Sequence, residues 1–264
     1  MSVPAFRFAP SPNGELHLGH AYSALLNERM AREAGGRFLI RIEDIDTVRC
    51  TAELTCRMLE DLVWLGLRWE EPVRIQSEHF AEYRVQQNSL EQMGLLYPCF
   101  CTRKQIAAAT ALTDPEGQPL YSSACRGLSK SKIELRIAAG EPHAMRIDME
   151  AAVAHTSVSE ALVWGDVVLA RKDIGTSYHV AVVTDDNLQG ITHVVRGRDL
   201  EAATPIHYLL QLLLGFASPQ YHHHELIGDE TGHKLSKSEG AKSLRALREE
   251  GVTARDVRNT LGFD

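Results

Sequence analysis

Phe6-Arg7-Phe8-Ala9-Pro10-Ser11-Pro12-Asn13-Gly14-Glu15-Leu16-His17-Leu18-Gly19-His20 is the stretch on which the fold turns. The apolar run Phe6 to Ala9 reads as a buried strand, and Pro10 to Gly14 is a dense turn signal. Helical character follows from about Gly19 to Glu33 and stops at Gly35-Gly36, where helices commonly end. Working outward, Phe38-Leu39-Ile40-Arg41-Ile42 reads as a second buried strand, closed by the acidic Glu43-Asp44-Ile45-Asp46. Leu54, Met58, Leu62 and Leu65 then recur at helical spacing along one face. Strand, helix, strand, helix is the opening of a parallel α/β sheet with right-handed crossovers.

The rhythm breaks from Pro98 to about Gly127, a stretch holding three cysteines and the turn-rich Asp114 to Pro119, which fits an inserted subdomain. Elements return with VVLARKD from Val167, SYHVAVVTDDNLQG, ITHVVRG and a helix from about Pro205 to Leu214. Pattern alone does not separate strand from helix in the second of these. The tail from Ser243 reads as two short helices. The expected partition is a first catalytic half over 1–97, an insertion with a candidate zinc site over 98–165, and a second half with a helical tail over 166–264.

A chain of 264 residues accommodates a full enzyme core. Hydrophobic content of 44% and charged content of 24% are those of an ordinary globular protein. No run of about 18 apolar residues exists, so no membrane-spanning helix is expected. The N-terminus lacks the charged and apolar regions of a secretion signal, which points to a cytoplasmic enzyme. The net charge of −7 argues against a protein that coats nucleic acid through its overall field, while leaving room for a local basic groove. Five cysteines without secretory context do not suggest a disulfide framework. Cys50 and Cys56 read as partly buried small side chains.

Two short motifs carry chemistry. His17 and His20 stand three residues apart where a strand hands over to a helix, the place at which open α/β sheets bind ligands. Helix N-termini present unpaired N–H groups and positive dipole charge to phosphates. Both imidazoles can meet on one side of a turn and donate to phosphoryl oxygens, and Gly19 lets a flat base approach the backbone. Taken alone, the pair reads more readily as surface histidines near a cap. The second motif is Lys234-Leu235-Ser236-Lys237-Ser238. Its two ammonium groups suit charge growing on a polyphosphate, or belong to an exposed basic loop. In this order, across two-thirds of the chain, the bland explanations of the two become improbable together.

HLGH and KLSKS resemble the two signatures of class I aminoacyl-tRNA synthetases. With FAPSPNGELHLGH, RIEDID and AVVTDDNLQGITHVVRG they resemble the glutamate-specific branch, over most of the chain from Phe6 to beyond Ser238. The resemblance implies a Rossmann-like catalytic domain with an inserted zinc-binding, acceptor-type subdomain and a short helical tail. It implies chemistry without a protein nucleophile, in which the substrate carboxylate attacks the α-phosphorus of ATP and pyrophosphate leaves. His17 and His20 would contact the ATP phosphates, Gly19 would underlie the adenine, and Lys234 and Lys237 would serve the departing pyrophosphate, with Mg²⁺ held by phosphates and water. Glutamate would fall to Arg7, Ala9, Ser11, Glu43, Tyr178 and Arg196. Two guanidiniums, a carboxylate and hydroxyls match two carboxylates and one ammonium group for group. Arg7 and Arg196 also suit structural salt bridges. Asp44 and Asp46 either cap the helix beginning near Thr51 or line the pocket.

Only 26 residues follow Ser238, too few for a large helical anticodon-binding region. That feature is similar to the compact glutamyl-queuosine tRNA(Asp) synthetase family, which activates glutamate without tRNA and transfers it to queuosine in the anticodon of tRNA(Asp). The expected partners are therefore L-glutamate and queuosine-bearing tRNA(Asp), with no membrane, and the expected state is a monomer. In this family Cys99, Cys101, Tyr121 and Cys125 look like a structural zinc site, one ion per chain. By spacing alone, reduced thiols without metal are as good a reading. His143 is a substitute ligand or, more plainly, a surface side chain. His20 stands where some members carry serine, a feature closer to ordinary glutamyl-tRNA synthetases. The alternatives are a catalytic fragment or short form of glutamyl-tRNA synthetase and a silent tRNA- or partner-binding paralogue.

Overall fold

The computed structural model describes residues 3–228 and 242–263. In chain order the elements are β1 (Ala5–Phe8), α1 (Leu18–Glu33), β2 (Arg37–Ile42), α2 (Ala52–Trp64), β3 (Glu70–Ile75), α3 (Phe80–Gln92), β4 (Leu96–Cys99), α4 (Arg103–Ala109) and α5 (Lys130–Ala138). They continue with β5 (Ala144–Ile147), α6 (Met149–Thr156), β6 (Val168–Ala170), α7 (Tyr178–Leu188), β7 (His193–Gly197), α8 (Thr204–Leu214), β8 (Gln220–His224), α9 (Leu244–Glu249) and α10 (Ala254–Thr260).

The chain forms two compact units, each from discontinuous segments. The first takes the chain up to Glu78, Gln189–Glu201 and everything from Pro219. Its sheet has the order β3-β2-β1-β7-β8, with neighbouring strands parallel. Strand residues alternate between faces. Phe6, Phe8, Ile40, Ile42 and Val195 enter a core with Leu25 of α1 and Met58 and Leu62 of α2. Ala5, Leu39, Ile191 and Val194 form a smaller cluster against Tyr221. The expected opening, strand–helix–strand–helix, is present with ends shifted by a residue or so.

Residues after the second motif close back on the beginning of the chain. The Leu244 N–H donates to Leu16 O at 2.7 Å, Ser243 forms a bridge with His17, and Leu244, Val257 and Phe263 join the main core. Both tail helices are as expected, each capped by its own Ser243 or Thr253. The tail also grips the end of α2, where Arg258 donates to Leu65 O at 3.2 Å and Arg248 lies 3.7 Å from Asp61. Asp61 is buried, and that burial, against the opposing pull of Arg248, pushes its carboxyl up to about 6. A carboxyl raised in the folded state binds its proton more tightly there, so stability falls as pH rises from about 4 through 6 and stays lowered above. Asp61→Asn is therefore expected to be about 1–2 kcal/mol more stable than the parent at pH 8 and equal to it near pH 4. Urea unfolding at the two pH values checks this, and equal stabilities at pH 8 would contradict it.

The second unit spans His79–Leu188 and Ala202–Ser218. Its sheet, β4-β5-β6, is antiparallel. Val168–Ala170, in the stretch expected to resume the catalytic rhythm, pairs instead with β5 of this small sheet. The ambiguous segment SYHVAVVTDDNLQG resolves as helix α7, in which Val180 to Asp186 are all buried. Pro205 sits in the first turn of α8, and Gly215 closes it in the left-handed region.

Asp166, almost fully buried, holds the loop before α5 in place. It accepts from the Tyr97 hydroxyl, from Ser123 Oγ at 2.6 Å and from the Met149 N–H at 3.0 Å, with Arg126 Nε at 3.3 Å. A buried carboxylate so fully satisfied fixes the segment that carries Cys125.

Candidate active site

In the first unit, His17 is the N-cap of α1, in extended backbone conformation. Its Nδ1 accepts from the Gly19 N–H at 3.1 Å, while His20 Nδ1 accepts from the His17 N–H at 3.2 Å. The two rings lie 3.9 Å apart between centroids. This is a capping box made of imidazoles in place of the usual Ser and Glu. With both Nδ1 atoms accepting, each neutral ring carries its hydrogen on Nε2. The helix terminus thus holds two N–H donors beside a positive dipole end, at the carboxyl edge of β1. The same packing favours glycine at 19, since a Cβ there would stand 3.0 Å from His17 Cε1.

The sheet register explains how the candidate amino-acid residues assemble. Arg7 pairs with Leu39, and Phe6 with both Phe38 and His193. By alternation Arg7, Arg41 and Arg196 share the face of Ala5, Leu39 and Val194, on three adjacent strands. All three are buried, with exposures of 4%, 0% and 5%. Carried one residue further, the register sets the small Ala9 level with Arg41 and Arg196. Buried guanidiniums on one sheet face favour an anionic ligand.

Glu43 follows directly on β2. Its N–H donates to Pro10 O at 3.0 Å, and its carboxylate accepts from Arg41 NH2 at 3.0 Å and Nε at 3.3 Å. Arg41 also donates to Gln189 Oε1 at 3.1 Å. Sequence reasoning missed Arg41; the signal was an arginine inside an apolar strand run, where only a paired charge is tolerated. Ser11 Oγ lies 3.6 Å from the buried Cys50 Sγ, and burial pushes that thiol up from its ordinary range. Cys56 is exposed rather than partly buried.

Asp44 and Asp46 do not cap α2. Thr51 does, accepting from the Leu54 N–H at 3.2 Å. Asp44 accepts from the Ser77 N–H and hydroxyl at 2.8 and 2.7 Å, and Asp46 accepts from Arg49 Nε at 2.8 Å. A threonine adjacent to the first turn reaches the orphan N–H groups better than carboxylates five or more residues upstream.

In the second unit, Tyr178 opens α7 with its ring edge-on to His179 and His207 at 5.6 and 5.5 Å. The Sγ atoms of Cys99, Cys101 and Cys125 converge within 4.8 Å of one another, with Cys101 and Cys125 at 3.6 Å. Three thiolates about 2.3 Å from a tetrahedral zinc ion stand about 3.8 Å apart, so the sulfurs fit such an ion. The Tyr121 hydroxyl accepts from the Cys125 N–H at 2.9 Å and contacts the Cys125 and Cys99 sulfurs. Burial pushes Tyr121 upward and Cys101 to about 11. All five cysteines are unbridged. His143 is outside the converging set; its ring lies against Phe100 at 5.3 Å, and its Nδ1 is 3.2 Å from Glu141 O. Lys234 and Lys237 lie outside the described residues. Only four residues separate Ser238 from Ser243, the bridge partner of His17. No helix among the described residues is long and apolar enough to cross a membrane.

Residues 5–262 match the family model for tRNA synthetases class I (E and Q), catalytic domain. The chain is 45% identical to the glutamyl-Q tRNA(Asp) synthetase of Rhodobacter capsulatus, with 97% of this chain and 99% of that protein covered. It is 40% identical to the glutamate–tRNA ligase of Aquifex aeolicus, of which it spans 57%. In fold it is similar to the crystal structure of glutamate–tRNA synthetase from Elizabethkingia anophelis, with a TM-score of 0.81 at 24% identity over 61% of that chain.

Proposed function

Because this chain belongs to the class I tRNA synthetases of the glutamate and glutamine group, through their catalytic domain, we propose that it activates glutamate with ATP and transfers it to queuosine in tRNA(Asp). The observation that carries the reading is the end-to-end likeness to the Rhodobacter capsulatus glutamyl-Q tRNA(Asp) synthetase, which no longer relative matches in coverage of its own length among those described. The imidazole cap of α1 supports the ATP half of the reaction. Its two Nε2–H groups and the helix dipole suit phosphoryl oxygens.

In this reading Arg7 and Arg196 take the two carboxylates of glutamate, Glu43 takes its ammonium, and Ala9 and Ser11 line the same pocket; Tyr178 keeps the glutamate-binding role that the resemblance implies. Arg41 holds Glu43 in place. The substrate carboxylate attacks the α-phosphorus, and pyrophosphate departs toward Lys234 and Lys237. Mg²⁺ travels with the nucleotide, held by phosphates and water. Cys99, Cys101 and Cys125, with Tyr121, would hold one zinc ion as a crosslink within the second unit. A functional partition at 97 and 165, which cuts elsewhere than the two compact units bounded at 78 and 188, and a cytoplasmic location belong to the same proposal.

A charging assay tests it. Labelled glutamate is expected to be incorporated into tRNA(Asp) carrying queuosine and not into the same tRNA lacking it, with ATP–pyrophosphate exchange proceeding without tRNA. Equal charging of tRNA(Glu) at its 3′ end would instead make the chain a short glutamyl-tRNA synthetase.

A further inference from the structure

We infer that His223 positions Arg196 for a carboxylate on the substrate side chain and thereby sets discrimination between glutamate and its neutral amide, glutamine. The inference rests on the assignment of Arg196 to a substrate carboxylate made above. Arg196 of β7 and His223 of β8 are direct partners in the parallel register, so their side chains leave the same sheet face side by side. Arg196 Nε donates to His223 Nε2 at 3.3 Å, and its NH2 donates to Leu200 O at 3.0 Å. The guanidinium also lies 5.0 Å over the ring of Tyr221, which stacks on His223 with planes 11° apart.

Each contact fixes a different degree of freedom. Tyr221 sets the plane of the guanidinium, and Leu200 anchors one terminal nitrogen. His223 engages Nε, the atom nearest the stem, and so sets which way the fork of terminal nitrogens faces. Bidentate recognition of a carboxylate depends on that direction. An arginine cannot accept a hydrogen bond, so His223 Nε2 is the acceptor, and the ring is neutral with its hydrogen on Nδ1. The environment favours that form: burial first, then the Arg196 charge, hold the imidazole below its ordinary value, with His222 and His224 acting in the same sense and Glu201 opposing. Within the run of three histidines at 222–224, only His223 has this register with Arg196.

The role is one of positioning, since His223 acts through Arg196. Its removal should therefore change substrate choice more than turnover. ATP–pyrophosphate exchange is measured with glutamate and with glutamine for the parent, His223→Leu and His223→Gln. His223→Leu is expected to raise the apparent glutamate KM about tenfold with the ATP KM unchanged, and to lower the glutamate-to-glutamine ratio of kcat/KM about tenfold. His223→Gln retains an acceptor oxygen and is expected to restore most of both. The ratio is independent of the fraction of active protein, so partial misfolding does not imitate the result. A glutamate-to-glutamine ratio in His223→Leu within twofold of the parent overturns the inference, as does a glutamine variant no better than the leucine one. Absence of glutamate-dependent exchange in the parent overturns the reading of the site itself, and this inference with it.

Discussion

In His17→Asn, glutamate-dependent ATP–pyrophosphate exchange is expected to fall about a hundredfold while thermal stability stays close to that of the parent. The substitution separates the observed cap from the phosphate contact proposed for the same imidazole. As N-cap of α1, His17 accepts the Gly19 N–H through Nδ1. Asparagine is among the strongest N-caps, and its side-chain oxygen can take over that hydrogen bond. What it cannot supply is the Nε2–H on the far side of the ring. A donor that meets charge developing on the phosphates is worth about 3 kcal/mol in the transition state, which corresponds to the stated loss. His17→Ala provides the contrast, since it should lose the same activity and, in addition, about 1 kcal/mol of stability with the cap. Exchange by His17→Asn within threefold of the parent would show that the imidazole is a cap and nothing more.

Cys99→Ser and Cys125→Ser are expected to abolish metal binding and lower the unfolding free energy of the second unit by several kcal/mol, about 2–5 in the usual range for losing such a crosslink. The expectation comes from the convergence of three sulfurs within 4.8 Å on two segments distant in sequence. Cys99 ends a strand, while Cys125 sits in a turn fastened by the Asp166 network. An ion shared between them links the strand to the turn. Cys56→Ser is the control, because Cys56 is exposed on α2 in the other unit. Elemental analysis of protein purified without chelator should find about one zinc per chain in the parent and in Cys56→Ser, and little in the other two variants. A metal-free parent, with the serine variants equally stable, would return these cysteines to ordinary reduced thiols.

The opening of the fold was legible because its side chains repeat with the periods that helices and strands impose. Phe6 and Phe8 alternate, and Leu54, Met58 and Leu62 recur along a helical face. The segment Val180–Asp186 was not, since a helix buried all round has no polar stripe to reveal its period. Val168–Ala170 lies where regular elements were expected to return, but no local pattern says which sheet a strand joins. Among site residues, the two histidines and the three cysteines could be found because their spacing is itself the signal. Asp166 and His223 could not, and Arg41 showed only as a charge inside an apolar run, without its partner. Each is defined by a partner distant in sequence, Ser123, Arg196 and Gln189 respectively, and buried polar pairs of that kind leave no periodic trace.

The contact of Leu244 with Leu16 has a consequence for biosynthesis. A nascent chain emerging from the ribosome presents its histidine cap within the first two dozen residues, yet the segment that seats beside it arrives more than two hundred residues later. Until then Leu16 and the neighbouring core lack Leu244, Val257 and Phe263, and β1 waits similarly for β7. Closure at such sequence separation is slow and leaves apolar surface exposed meanwhile. The end proposed to take the nucleotide is thus assembled last, and a ribosome stalled before residue 243 carries a product that has made the five strands of its parallel sheet but cannot seat Leu244 against Leu16.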